Sequence, residues 1–146
     1  QTINGKQYEL IIHRKGATRA CGPNSPFVPR SYQTVGQPVL IPGTMGTASY
    51  VMAGTGAAPL AAFASSCHGA GRKMSRLQAK KVIKGNQLRG QLEAQGIIIQ
   101  CDSNQGLAEE GPQAYKDIEA VVNIVDTAQL AKKVARLIPL AVIKGG

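Results

Sequence analysis

The sequence predicts an α+β fold, in which mixed sheets pack against helices. Short apolar runs rich in β-branched residues, at 39–41 and 97–99, indicate buried strands. Amphipathic periodicity indicates helices elsewhere, and it is clearest behind Pro112. The apolar residues at helical spacing there are Ala114, Ile118, Val121, Val122 and Val125. Because strands and helices do not alternate regularly along the chain, they favour the α+β class.

Size and charge bound the domain organisation and the partners. The 146 residues, of which 43% are hydrophobic, suffice for one core, so we expect residues 1–146 to form one domain or part of one. The chain carries 17 Lys and Arg against 8 Asp and Glu, a formal net charge of +9. This surplus favours RNA or DNA as a partner through phosphate contacts. The densest cationic segment, 72–84, would also be explained by a solvated helix face.

The cysteines and the apolar runs indicate the compartment. Cys21, Cys67 and Cys101 are odd in number and form no C-x-x-C pair, which is typical of reduced thiols in a cytosolic protein. No apolar run reaches the roughly 18 residues of a membrane span, and the N-terminus lacks the apolar region of a signal peptide. We therefore expect a cytoplasmic protein without a membrane partner.

Local signals predict the first half of the chain. Residues 8–13 are predicted to be a strand, and because nothing precedes them to pair with, we expect the chain to be a fragment. Residues 21–38 contain four prolines and predict an ordered surface loop. Runs at 39–41 and 49–53, separated by a turn of small residues, predict a hairpin.

The second half alternates helical and extended signals. One helix is predicted over 72–83, and another over 86–95 with Asn86 as its cap and Gly96 as its stop. Residues 137–143 are predicted to form one apolar terminal strand that delivers Lys144 at its end.

The stretch 65–72, Ser-Ser-Cys-His-Gly-Ala-Gly-Arg, is the strongest candidate for chemistry. The small residues after His68 leave backbone N–H groups uncovered for an anion such as phosphate. If a helix begins at Arg72, the free N–H groups of its first turn face the same point. The alternative is a glycine-rich turn that happens to contain a histidine.

Polar groups elsewhere allow a structural and a functional interpretation. The hydroxyls of Thr44, Thr47 and Ser49 either contact a ligand or satisfy the backbone of their own turn. Tyr115 is either a ring at the edge of the core or a ligand contact, and Lys144 either reaches a site or faces water.

Two other chemistries find little support. His13 has no second His, Cys or carboxylate at metal-ligand spacing, so a structural role is favoured. A hydrolase built on Cys67 and His68 is disfavoured, because adjacent residues rarely direct their side chains toward each other and no orienting acid is evident.

Five motifs together resemble the C-terminal third of the RtcB family of RNA-splicing ligases, in order and over nearly the whole chain. They are HRKGATRA at 13–20, GQPVLIPGTMGTASY at 36–50, CHGAGR at 67–72, AEE at 108–110 with AYK at 114–116, and PLAVIKG at 139–145. The resemblance implies an RtcB-like fold of which the chain is the C-terminal portion.

It further implies a GTP- and manganese-dependent ligase acting in tRNA splicing and RNA repair. Such an enzyme joins an RNA end bearing a 2′,3′-cyclic phosphate or 3′-phosphate to a 5′-hydroxyl. The family histidine matched by His68 attacks the α-phosphate of GTP, and its GMP passes to the RNA 3′-phosphate before the 5′-hydroxyl displaces it. Ala70 and Gly71 match positions whose amides meet phosphate in the family.

The resemblance also implies a nucleotide pocket. The guanine-pocket positions are matched by Thr44, Ser49, Tyr115 and Lys144, and Thr44 keeps the hydroxyl of the serine that many relatives have there. The candidates for electrostatic contact with RNA or triphosphate are Arg14, Lys15, Arg72 and Arg76.

The departures from the family limit the expected activity. The family's metal-binding Cys and His residues belong upstream of residue 13, so we expect the Mn²⁺ ligands outside this chain and the chain alone to be inactive. Cys21, Cys67, Cys101 and His13 do not match metal-ligand positions. Expected partners are RNA, as tRNA halves or broken RNA, GTP, the remaining N-terminal part of the ligase and an accessory activating protein. The alternative is a non-catalytic RNA- or nucleotide-binding fragment that lacks the metal site.

Overall fold

The computed structural model describes residues 2–58 and 62–144 and confirms the α+β class. Two short antiparallel pairs are formed by β1 (Thr2–Ile3) with β2 (Lys6–Gln7) and by β3 (Ala17–Arg19) with β6 (Ser65–Cys67). A three-stranded antiparallel sheet has the order β4 (Pro38–Ile41), β5 (Ser49–Gly54), β8 (Ala131–Leu137), and β7 (Ile98–Cys101) runs parallel to β9 (Ala141–Lys144). The helices described in full include α1 (Arg76–Val82), α2 (Gly85–Ala94), α3 (Asn104–Glu109) and α4 (Ile118–Thr127), with 3₁₀ turns at Arg30–Tyr32 and Pro112–Ala114. None of the helices in the described ranges is long and apolar enough to cross a membrane.

One face of the three-stranded sheet forms the main core. Alternate residues of β4 and β5 are buried, as the two-residue period of a strand requires. They pack with one stripe of α4, and the buried set comprises Val39, Ile41, Tyr50, Met52, Ile118, Val122 and Val125. Ala70, just after the candidate histidine, belongs to the same cluster. The 65–72 stretch is therefore anchored to the main core through Ala70.

A second apolar cluster joins α2 and α3 to the parallel strand pair. Its buried members are Leu88, Leu92, Ile97 and Leu107. Met45 and Val142 pack against it. Since Met45 belongs to the turn between β4 and β5, that turn links the two cores. Gly96 adopts a positive φ of 80° at the end of α2, as the predicted stop requires.

The predictions for residues 21–54 are confirmed. Residues 38–41 and 49–54 form the antiparallel hairpin, with Ile41 opposite Tyr50. The proline-spaced segment before it is a surface loop closed by Gln33, whose side-chain amide donates to the carbonyl of Ser25 at 2.9 Å.

The predicted strand at 8–13 is wrong. These residues have no regular secondary structure, and Ile11 is 99% exposed. Apolar residues alone do not make a strand, because the backbone needs a neighbouring strand to accept and donate its hydrogen bonds.

The predicted helix 72–83 begins four residues later than expected. Helix α1 starts at Arg76, after Ser75, whose hydroxyl accepts from the N–H of Gln78 at 3.1 Å. The backbone of Arg72 instead forms an antiparallel bridge with Tyr115. The first turn of this helix therefore does not begin beside His68, and the predicted helix-terminus contribution to an anion site is wrong.

Three other boundaries also differ from prediction. Helix α2 begins one residue before Asn86, so Lys84 is its cap residue. Residues 112–125 split into the 3₁₀ turn and α4, where Asp117 caps the helix by accepting from the N–H of Glu119 at 3.1 Å. The strand predicted at 97–99 begins at Ile98, which is 71% exposed.

The predicted terminal strand at 137–143 is two strands. Leu137 ends β8, and β9 begins only at Ala141, with Pro139 in the connection. Most of β8 was missed, because its exposed, lysine-rich sequence carries no apolar signal.

Gly85 lets two helices approach closely, and this generates a prediction. A Cβ at Gly85 would overlap the backbone carbonyl of Asn104, whereas a Cβ at Gly90 of the same helix would meet nothing within 4 Å. We expect Gly85→Ala to lower the free energy of unfolding by about 1–3 kcal/mol. Gly90→Ala, the matched control, should raise it by about 0.4–1 kcal/mol. Urea denaturation of both variants measures this, and equal effects would contradict the packing described.

Candidate functional site

A cavity of about 470 Å³ lies where the hairpin turn, the segment 110–115 and strand β9 meet. Four of the predicted site residues line it: Thr44, Ser49, Tyr115 and Lys144. They come from three separate parts of the sequence, and the fold brings them to one cavity. Pro42, Met45, Glu110 and Val142 are among the other lining residues.

The hydroxyls of the hairpin turn bond within the turn, and two of the residues that carry them, Thr44 and Ser49, also line the cavity. Ser49 Oγ accepts from the N–H of Gly43 at 3.1 Å, and Thr47 Oγ1 accepts from the N–H of Thr44 at 2.8 Å. The Thr44 and Thr47 hydroxyls lie 2.8 Å apart. Because Ser49 Oγ accepts within the turn, its own hydrogen is left for a second acceptor. The structural interpretation of these hydroxyls is therefore correct, and it leaves a ligand contact open.

Arg72 occupies the centre of the polar network beside the cavity. Its Nη1 donates to Glu110 Oε2 at 3.0 Å and to the Tyr115 hydroxyl at 2.9 Å. Its Nη2 donates to the carbonyl of Glu109 at 2.6 Å, and its Nε to the carbonyl of Met74 at 2.9 Å. The guanidinium carbon also lies 4.7 Å from the centre of the Tyr115 ring, within cation–π range. Arg72 thus fixes both residues that line this side of the cavity.

The ionisation of the network follows from these contacts. Burial alone would raise the pKa of Glu110, but hydrogen bonds from Tyr115 and Arg76 and the charge of Arg72 outweigh it and lower that pKa. Burial, reinforced by the hydrogen bond to Glu110, raises the pKa of Tyr115. At neutral pH Tyr115 is therefore a protonated donor and Glu110 a charged acceptor.

Lys144 reaches the cavity as the last described residue of β9, in register with Cys101 of β7. A hydrogen bond from Lys80 is the main cause that lowers the pKa of Glu109, and the charge of Lys144 contributes to the same shift. Lys144 is only partly exposed. Lys144 is therefore a partly exposed lining residue whose charge acts on Glu109.

His68 lies beside the cavity and not in its wall. The imidazole residue is exposed, and its backbone N–H donates to the carbonyl of Gly16 at 3.3 Å. Two residues later, the N–H of Ala70 donates to the carbonyl of Pro42 at 3.2 Å, and Pro42 lines the cavity. The His68 loop is thereby held against the rim.

The amides after His68 differ from the expectation. The N–H of Ala70 is engaged by Pro42, so it is not the uncovered donor that the sequence suggested. The N–H of Gly71 has no hydrogen bond to any residue in the described ranges, and Gly71 adopts a φ of 76° that glycine favours.

The four predicted electrostatic residues are not equivalent. Arg14 donates to Ser65 Oγ at 2.8 Å and to a backbone carbonyl at 2.9 Å, which anchors it to β6. Arg72 serves the network above, and Arg76 donates to Glu110 Oε1 at 2.9 Å. Of these four residues, only Lys15 is an exposed cation without an ion pair to a described carboxylate.

Sequence reasoning missed Glu110 as a site residue. The motif AEE at 108–110 carried the family resemblance, but no role was drawn from it. A signal was present, since Glu110 stands five residues before Tyr115 in a chain with only eight acidic residues.

Neither a cysteine nucleophile nor a metal cluster emerges from the described residues. Burial is the main cause that raises the pKa of Cys67, which disfavours the reactive thiolate. No group of three or more His, Cys, Asp or Glu side chains within residues 2–58 and 62–144 is arranged to hold a metal ion.

The comparison with known proteins identifies the family. The family model described as tRNA-splicing ligase RtcB matches residues 2–145. The chain belongs to the RtcB family. It is 50% identical to tRNA-splicing ligase RtcB of Pyrococcus furiosus and 51% identical to that of Archaeoglobus fulgidus, each over 98% of this chain. It is also 50% identical to RNA-splicing ligase RtcB of Mycobacterium bovis.

The chain spans only part of these relatives. The matches cover 15% of the Pyrococcus ligase, 30% of the Archaeoglobus ligase and 33% of the Mycobacterium ligase. These shares agree with the expectation of a portion of an RtcB protein.

The network predicts a pH dependence of stability. Because the folded pKa of Glu110 is lowered, its contribution is complete above the ordinary pKa of about 4.3 and is lost as the pH falls through the lowered value. We expect Glu110→Gln to reduce the free energy of unfolding by about 1.5–3 kcal/mol at neutral pH, and by less in acid. Urea denaturation at both pH values measures this. Glu93→Gln, which breaks only an exposed pair with Arg89, should cost below about 0.5 kcal/mol. A Glu110 effect that grew in acid would contradict the assignment.

Proposed function

We propose that the chain is part of an RNA ligase that joins 2′,3′-cyclic phosphate or 3′-phosphate ends to 5′-hydroxyl ends through a GMP–histidine intermediate at His68. One observation carries the proposal. Four residues that match the family's guanine pocket line a single cavity, and the His68 loop is bonded to its rim. The relatives that are 50% or 51% identical to this chain are named tRNA-splicing or RNA-splicing ligases.

The chemistry of the cavity suits a guanine base. Guanine offers two acceptors, O6 and N7, and donors at N1 and at its amino group. Lys144 supplies donors, the Glu110 carboxylate is an acceptor, and the hydroxyls of Thr44 and Ser49 supply both. The volume, about 470 Å³, falls within the range of small-molecule sites. GTP is accordingly the proposed nucleotide substrate.

His68 supplies the proposed nucleophile. A neutral imidazole nitrogen attacks the α-phosphorus of GTP, the P–N bond forms as the bond to pyrophosphate breaks, and GMP remains on the ring. The RNA 3′-phosphate then takes GMP and frees the imidazole, and the 5′-hydroxyl displaces GMP as the new phosphodiester forms. Because His68 is exposed, RNA and nucleotide can both reach it. The N–H of Gly71, which bonds no described residue, is a candidate donor for a phosphate oxygen.

Manganese fits no group of residues in the described part of the chain. No step of the proposed reaction is therefore assigned to the metal. Its ligands are expected among the residues of the relatives that this chain does not match. The same observation favours the second candidate, a non-catalytic RNA- or nucleotide-binding portion, for the chain on its own.

The chain alone is expected neither to bind Mn²⁺ at a defined site nor to ligate RNA. Transfer of a nucleotidyl group needs neutralisation of developing charge, which metal ions usually supply. Calorimetric titration of Mn²⁺ into the purified chain tests this. Stoichiometric micromolar binding, or ligation above a His68→Ala control, would contradict it.

His68→Ala in the complete ligase should abolish the covalent GMP adduct, because the nucleophile is removed while the cavity remains. Intact-mass measurement after incubation with GTP and Mn²⁺ reads this directly. Cys67→Ala is the matched control. It should keep the adduct, because burial raises the pKa of the Cys67 thiol and so disfavours the nucleophilic thiolate. Retention of the GMP mass in the His68 variant would refute the assignment.

Lys144→Ala should change nucleotide choice without unfolding the protein, since Lys144 ends a strand and is not in either core. Loss of a polar contact to the base is worth about 1–3 kcal/mol. We expect the preference for GTP over ATP in adduct formation to fall by a corresponding factor. Lys132→Ala, an exposed lysine of β8, should leave the preference unchanged. Unaltered discrimination in the Lys144 variant would remove Lys144 from the pocket.

A further inference from the structure

A second cleft, of about 420 Å³, lies beside the start of helix α3. It opens where α1 ends and α2 and α3 begin. Its polar lining residues are Lys80, Lys81, Lys84, Asn86, Asn104 and Gln105. It shares no lining residue with the nucleotide cavity, so it is a separate feature of the surface.

The cations of segment 72–84 divide into two groups. Arg72, Arg76 and Lys80 are paired with the carboxylates of Glu109 and Glu110. The second group, Lys73, Lys81 and Lys84, makes no ion pair within the described ranges, and all three residues are exposed. Of these three, Lys81 and Lys84 line the cleft. No Asp or Glu lines the cleft. The cleft therefore carries uncompensated positive charge.

The amide side chains add donors to this charge. Asn104 Oδ1 accepts from Arg89 Nε at 3.1 Å, and Asn86 Oδ1 accepts from the N–H of Gln87 at 2.9 Å. Both oxygens are engaged, and the amide nitrogens of these side chains make no hydrogen bond to a residue in the described ranges. Lysine ammonium groups and amide N–H groups are the donors that bind phosphate oxygens.

The cleft also has a fixed shape, unlike a solvated helix face. Two of its lining residues, Gly85 and Asn104, approach so closely that a Cβ at Gly85 would overlap the Asn104 backbone. Lys80 and Lys81 come from the end of α1, Lys84 and Asn86 from the start of α2, and Asn104 and Gln105 from the start of α3. Charges on a single solvated face would not converge with donors from separate elements.

We infer that this cleft binds backbone phosphates of the RNA substrate away from the ends being joined. The inference rests on the proposed function for its choice of RNA. The residues that line the cleft, Lys81 and Lys84 among them, do not line the nucleotide cavity. The cleft therefore contributes to RNA affinity and not to guanylylation.

The test is the double variant Lys81→Gln/Lys84→Gln in the complete ligase, against Arg30→Gln/Lys132→Gln as a control with the same charge change on other exposed positions. A fluorescent single-stranded RNA is titrated at several KCl concentrations, without GTP or Mn²⁺. Loss of two phosphate contacts should lower the slope of log affinity against log salt by about 1.4. Adduct formation with GTP is measured separately.

Severalfold weaker RNA binding with the reduced slope, in the cleft variant alone, supports the inference. Equal losses in both variants would mean that the effect is due to net charge, and they would overturn the inference. Unchanged RNA binding would also overturn it, and is the result expected if the cleft binds an acidic protein. Inorganic phosphate at matched ionic strength should compete no better than chloride; strong competition would mean a free-phosphate site and would also overturn it. Loss of adduct formation in the unmodified ligase would refute the proposed function without touching these binding results.

Discussion

The guanidinium of Arg72 is the contact on which the candidate site depends. It joins three stretches of chain, because its own backbone pairs with Tyr115 while its side chain bonds Glu110 and the Glu109 carbonyl. The Glu110 side chain is only 21% exposed, so without a cation it would be a poorly solvated charge next to a phenol. A planar group with five donors can serve all these acceptors at once, which a lysine cannot do. One wall of the cavity is therefore built by an electrostatic contact and not by the apolar core.

The parts of the fold that the sequence predicted are those determined by neighbouring residues. The hairpin and the proline-spaced loop need only local turn chemistry and a two-residue period, and both are present. The predictions that failed depend on distant partners. The sequence predicted that Arg72 begins a helix, but its backbone pairs with that of Tyr115, which is 43 positions away. Strand β8 has a charged sequence and exists because β5 offers it an edge.

The site shows the same division. Thr44, Ser49, Tyr115 and Lys144 were named through family motifs, and no spacing rule could have shown that they share a cavity. The net charge of +9 indicated a polyanion, but composition cannot say which cations are already paired. Within the described ranges Arg72, Arg76, Lys80, Arg89 and Arg136 pair with carboxylates of the chain itself, and the cations without such a pair are the ones most available to a partner.

The parallel pairing of β7 with β9 determines which face Lys144 occupies. Successive residues of a strand point to opposite faces, so the register of Lys144 against Cys101 decides whether its ammonium group meets the cavity or the opposite surface. The connection through Pro139 determines where that register begins. The number of residues between Pro139 and Lys144 therefore determines on which face of β9 the lysine lies. Adding a single residue between the two would move each later side chain to the opposite face of β9 and take the lysine out of reach, although every side chain of the pocket would still be present in the sequence.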